Sequence, residues 1–104
     1  MTPLQVARFW SKVRVLKNSD CWEWQGSIGS AGYGTLTLAR QSYVAHRTSA
    51  FLFGLIDSLT APADPKVKGF VLHKCDNRKC CNPYHFFIGS LSENTLDAYA
   101  KGRL

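Results

Sequence analysis

A small single-domain α+β fold is what this chain predicts, on three observations. Apolar residues recur at helical spacing near the N-terminus and again after residue 46, while the stretches between them alternate in the way of short strands. Cysteines and a histidine cluster in the last third. At 104 residues the chain has the size of one domain, and a domain this short buries only about two-thirds of its unfolded surface. With 45% hydrophobic residues, 8 Gly and 4 Pro, its core is small enough for a cross-link to matter.

The elements follow in order. Residues 4–16 place Leu4, Val6, Ala7, Phe9, Trp10, Val13 and Leu16 at i, i+3 and i+4 relations, which predicts an amphipathic helix capped by Thr2 with Pro3 in its first turn. Residues 21–25, Cys-Trp-Glu-Trp-Gln, fit a short strand closed by Gly26, with Trp22 and Trp24 on one face as core residues. After a Gly29–Gly32 turn, residues 33–39 alternate threonine with leucine, and Arg40-Gln41-Ser42 turns the chain into residues 43–45. These runs predict a three-stranded antiparallel meander. Residues 46–56 return to helical spacing, and a loop with Pro62, Pro65 and Gly69 connects to a strand at 70–73. A polar, Cys-rich turn, a second apolar run at 86–88 and a closing helix complete the chain, with Ser90 and Glu93 as the capping box of that helix.

Charge narrows the partners. Thirteen Lys and Arg against seven Asp and Glu give +6 and a pI near 9.4, which favours a polyanion as partner. No stretch approaches the roughly 18 apolar residues of a membrane span, and Arg8, Lys12 and Arg14 interrupt the N-terminal apolar pattern where a signal peptide would be unbroken. The expectation is an intracellular, non-membrane protein that is not secreted. Four cysteines could form two disulfides, but in that setting metal binding is the better reading.

Cys75-x4-Cys80-x4-His85 offers two thiolates and an imidazole within eleven residues, a donor set that suits zinc. A closed structural site needs a fourth ligand. Cys21, the cysteine outside the cluster, would tie the N-terminal strands to the C-terminal loop; Cys81 and His73 are the competing choices, and Cys81 is disfavoured because adjacent residues seldom point into one tetrahedral site. Metal binding of this kind contributes on the order of 10 kcal/mol to folding.

The run from His73 to Phe86, His-Lys-Cys-Asp-Asn-Arg-Lys-Cys-Cys-Asn-Pro-Tyr-His-Phe, with Asn94 further on, resembles the motif of the His-Cys box nucleases. These belong with the HNH endonucleases in the ββα-metal, or His-Me finger, superfamily. Small phage and mobile-intron members are also similar upstream, at Cys21-Trp22-Glu23-Trp24, Gly32-Tyr33-Gly34 and Ala45-His46-Arg47. The resemblance implies a zinc-stapled ββα-metal domain over residues 1–104, with the N-terminal helix and DNA-binding meander in residues 1–56 and the catalytic motif in residues 70–103.

The same resemblance implies a metal-dependent DNA endonuclease that leaves 5′-phosphate and 3′-hydroxyl ends. His73 matches the general base, and an imidazole with an ordinary pKa near 6.5 suits that task. Asn94 matches the ligand of one catalytic Mg²⁺, with Mn²⁺ able to substitute, a cation that needs few protein ligands. Arg40 matches an arginine on the cut phosphate, Arg47 being the alternative, and Asn82 matches a residue that shapes the cysteine loop. Cys21, Cys75, Cys80 and His85 would hold the structural zinc.

Family members usually lay the meander in the major groove of double-stranded DNA, which here would present Thr35, Thr37, Arg40, Gln41, Ser42 and Arg47. His46 is either a buried histidine or a phosphate contact. Two departures stand out. Leu72 occupies the position before the base where many HNH enzymes carry a metal-binding Asp, and the second zinc cluster of larger His-Cys box enzymes has no counterpart before Leu104. One active site per chain most naturally implies nicking by a monomer, so a double-strand cut would point to a homodimer. The reading from a different class is a zinc-stapled DNA-binding module that keeps the shape without cutting.

Overall fold

Among the described residues each sheet is two-stranded, and the way the pairs are joined decides where the cysteines meet. The fold is seen in a computed structural model in which residues 1–91 are described. In chain order the described elements are α1 (Pro3–Ser11), β1 (Val13–Val15), β2 (Trp22–Trp24), β3 (Thr35–Leu38), β4 (Gln41–Val44), α2 (Ala45–Leu52), β5 (Phe70–His73), a 3₁₀ turn (Pro83–His85) and β6 (Phe86–Gly89). The result is a small α+β fold, with antiparallel pairs β1–β2, β3–β4 and β5–β6. The expected closing helix and Asn94 lie outside the described residues.

Helix α1 starts as its sequence requires. Thr2 accepts from the Gln5 backbone N–H, and the Gln5 side chain accepts from the Thr2 N–H, a reciprocal cap with Pro3 behind it. The helix ends at Ser11, short of the expected residue 16. Val13 and Val15 are β-branched and instead pair with Trp24 and Trp22. Helix α2 also stops early, at Leu52 and not at residue 56. Gly54 takes φ +76, and the N–H groups of Gly54 and Leu55 close back on the carbonyls of Phe51 and Ala50, the paired hydrogen bonds of a helix that ends on a left-handed glycine.

The three-stranded meander does not form. One edge of β2 is taken by β1, and the other meets the cysteine loop: Trp24 N–H donates to Lys79 O at 2.8 Å and Cys81 N–H to Trp22 O at 2.6 Å. Strand β3 therefore has no backbone edge of β2 to join. Gly34 instead lies against the Trp24 indole, where a Cβ would come within 2.4 Å of the ring, so only glycine allows the approach.

Among the described residues, two clusters form the core. Phe9, Trp24, Ala45 and Cys81 pack together beneath Trp10, Val13, Trp22, Leu36 and Leu52, while Ala50, Val71 and Phe86 pack with Ile56 and Ile88. Helix α2 runs through both and is buried from Ala45 to Ala50. Two of its buried hydroxyls are satisfied by carbonyls, Thr48 Oγ1 donating to Val44 O and Ser49 Oγ to Cys81 O. Burial on this scale leaves no solvent face on the first turns of α2, which governs the fate of Arg47 below.

Candidate metal centre and the adjoining histidine pair

The loop between β5 and β6 is built to hold a cluster. Asn77 Oδ1 accepts from Lys79 N–H, and Cys80 N–H donates to Asn77 O, which turns the chain between Cys75 and Cys80. Asn82 then works in two directions: Oδ1 accepts from Tyr84 N–H to start the 3₁₀ turn, and Nδ2 donates to Asp20 O at 2.8 Å. That second bond draws the residue preceding Cys21 onto the loop. Asp20 and Asp76, the neighbours of Cys21 and Cys75, take φ +57 and +62, left-handed turns that aspartate tolerates better than most side chains.

Cys21, Cys75, Cys80 and His85 are thereby brought together, their ligand atoms all within 4.8 Å of one another. His85 Nδ1 lies 3.6 Å from Cys21 Sγ and 3.4 Å from Cys80 Sγ. A tetrahedral zinc with Zn–S near 2.3 Å and Zn–N near 2.0 Å has S···N edges of about 3.5 Å, so the spacing fits a closed four-ligand metal site. All four cysteines are free of disulfides. Burial pushes the Cys75 and Cys80 thiols up, so metal capture must release their protons. Cys81 points away into the core, its thiol pushed up to about 12 by burial, and His73 contributes no ligand atom to the cluster.

His73 ends β5 beside this centre. Its Nε2 lies 2.9 Å from the Cys80 carbonyl, and because a carbonyl only accepts, Nε2 carries the proton. The lone pair of the neutral ring is then on Nδ1, which has no hydrogen-bond partner among the described residues. Burial holds the His73 pKa below its ordinary value, the Cys80 carbonyl opposing the shift and His85 adding to it.

His46 packs against His73, ring centroids 4.3 Å apart, and donates Nε2–H to Val71 O at 2.8 Å. Its Nδ1 is buried without a partner, and desolvation, with His73 second, pushes its pKa down to about 3. Of the two readings open for His46, the structure shows the buried histidine. Tyr33 stacks on both rings, at 5.3 Å from His46 and 6.0 Å from His73, and Arg78 lies over Tyr33 at 5.4 Å.

The remaining expected residues divide. Thr37 and Ser42 are exposed cross-strand partners, and Thr35 shares their face with its hydroxyl turned towards Ser27 O. Gln41 is exposed too, but it pairs with Leu38 and so belongs to the opposite face of the hairpin. Arg40 sits exposed at the hairpin tip with φ +66, next to Ala39 at +49.

Arg47 corrects the expectation of a DNA contact. It is 7% exposed, and its guanidinium donates to Gly69 O at 2.6 Å and Thr60 O at 3.0 Å, bracing the loop that follows α2. Its position in the first turn of a buried helix sends the side chain inward. Sequence reasoning passed over Tyr33 and Arg78 as site residues. Both lie inside the quoted motifs, yet only the stacking of Tyr33 on the histidine pair and the place of Arg78 over that ring mark them.

Comparison with known proteins gives phage relatives. The chain is similar to Protein 2.8 of Escherichia phage T7, 39% identical over 88 residues that cover 83% of this chain and 54% of that protein. It is also similar to Protein 7.7 of the same phage, 31% identical over 84 residues covering 81% of this chain and 58% of the relative. The chain thus spans little more than half the length of these curated relatives. No family model and no solved structure matches it. Among the described residues no helix is long and apolar enough to cross a membrane.

Proposed function

We propose that this chain is a metal-dependent DNA endonuclease of the ββα-metal type, related to the HNH and His-Cys box enzymes. The observation that carries the reading is His73: the hydrogen bond from Nε2 to the Cys80 carbonyl fixes the tautomer with a free lone pair on Nδ1, next to a Cys₃His centre. Cys21, Cys75, Cys80 and His85 would hold a structural zinc, which supplies the staple that a core of this size needs. The β5–β6 hairpin with the loop between them corresponds to the paired strands of the ββα-metal motif.

The base works as follows. Nδ1 of His73 takes a proton from a water molecule, and the water oxygen attacks the phosphorus of a DNA phosphodiester. The bond to the 3′ oxygen breaks, solvent protonates that oxygen, and the ends are a 5′-phosphate and a 3′-hydroxyl. The Cys80 carbonyl stabilises the imidazolium by accepting from Nε2–H. A divalent cation, Mg²⁺ in the family resembled and Mn²⁺ in its place, supplies charge stabilisation at the phosphate when bound; Asn94, its ligand by resemblance, lies outside the described residues. The duplex would meet the exposed hairpin through Thr37, Ser42 and the tip residue Arg40.

A second reading, a DNA-binding module without cleavage, is favoured by one observation: His73 is only 8% exposed. Supercoiled plasmid decides between them. Zinc-loaded protein with Mg²⁺ at low salt should nick it, while EDTA and a His73→Ala variant that retains its zinc should not. Tight DNA binding by the parent without any cleavage would favour the module.

A further inference from the structure

We propose that Arg78 is the phosphate-binding residue of this site, its guanidinium taking a non-bridging oxygen of the phosphodiester that His73 serves. The inference rests on the nuclease reading above and adds to it a residue with no role there. Arg78 is exposed, yet its guanidinium is held in place. Nη1 donates to Ala31 O at 2.6 Å, and the group lies over the Tyr33 ring at 5.4 Å, the same ring that stacks on His73 and His46. Its other N–H donors have no partner among the described residues. A planar fork with spare donors, fixed on one side and open to solvent on the other, is preorganised for a phosphate.

The arrangement is coupled to the base. Arg78 and Cys80 belong to the same loop, so the segment whose carbonyl orients His73 also carries the guanidinium. Gly32, at φ +86, makes the turn that follows the Ala31 carbonyl, a conformation other residues adopt only with strain. The other candidate arginines are placed for different work. Arg47 is buried against backbone carbonyls, and Arg40 is at the far end of a hairpin.

Single-turnover cleavage and DNA affinity, measured on zinc-loaded parent, Arg78→Gln and Arg78→Lys, test the assignment, with sulfur placed stereospecifically at each non-bridging oxygen of the mapped cut site. Arg78→Gln should slow cleavage about 100-fold while DNA affinity changes less than about threefold, and Arg78→Lys should recover part of the loss. The parent should respond to sulfur at one oxygen that Arg78→Gln no longer distinguishes. Equal rates for parent and variants, or a slowed Arg78→Gln that keeps the parent's response to sulfur, would overturn the assignment and leave the nuclease reading standing. A parent that binds DNA and never cuts removes both.

Discussion

His46 and Arg40 show what single side chains contribute here. In the unfolded chain the His46 imidazole titrates near 6.5, and in the folded chain near 3. Between these values the unfolded state binds more protons, so the contribution of the neutral ring is complete above pH 6.5 and is lost as pH falls towards 3. Stability should drop by up to about 1.4 kcal/mol per pH unit in that window. The groups facing His46 are Tyr33, His73 and Arg47, and His73, also depressed, adds to the slope. Urea unfolding at pH 5 and pH 7 should show a shallower pH dependence for a zinc-retaining His46→Leu variant; an unchanged slope would count against the buried neutral ring.

Arg40 carries a left-handed conformation that a non-glycine residue holds at a cost of roughly 1 kcal/mol. Arg40→Gly should therefore raise the urea midpoint, by up to about 1 kcal/mol in stability, while weakening DNA binding. A variant that gains stability and binds DNA as the parent does would leave the hairpin tip without a role in the interface. The Cys₃His cluster was legible in the sequence because chelation demands particular donors at loop spacing. The places of Arg78 and Arg47 were not, since whether an arginine faces solvent or a carbonyl depends on contacts between distant segments.

At the scale of elements, the sequence showed which residues form helices and strands better than where they end or what they pair with. The apolar spacing predicts α1 to Leu16 because Val13 continues it, yet Val13 and Val15 also alternate, and pairing with Trp24 and Trp22 decides between the two periods. For α2 the stop signal is Gly54, although the apolar run continues beyond it to Ile56. Strand pairing could not be read from alternation, because the edge of β2 is satisfied by a loop more than fifty residues away in the chain. The loop after α2 depends on Arg47. Arg47→Met should cost about 2 kcal/mol by leaving the Thr60 and Gly69 carbonyls without their donor, and should leave the salt dependence of DNA binding unchanged. A smaller salt slope in that variant would return Arg47 to the interface.

Across the whole molecule, the Cys₃His centre joins what the strand pairs leave separate. Cys21 comes from the N-terminal half and its three partners from the β5–β6 loop, with Asn82 bonded across the same junction. A strong chelator should remove one zinc per chain and expose Trp22 and Trp24 of the strand that follows Cys21, shifting their fluorescence to longer wavelength and abolishing a cooperative melt. A chelated chain that keeps its parent emission and melt would show that the two core clusters suffice alone.

The three hairpin-like pairs close over short stretches of chain, whereas the centre closes over more than half of it. Local pairs form on the microsecond scale, and the long closure bears the larger entropic delay. With metal held there as proposed, the last encounter in folding is bimolecular, so the speed at which a new chain matures should scale with how much free metal its surroundings hold.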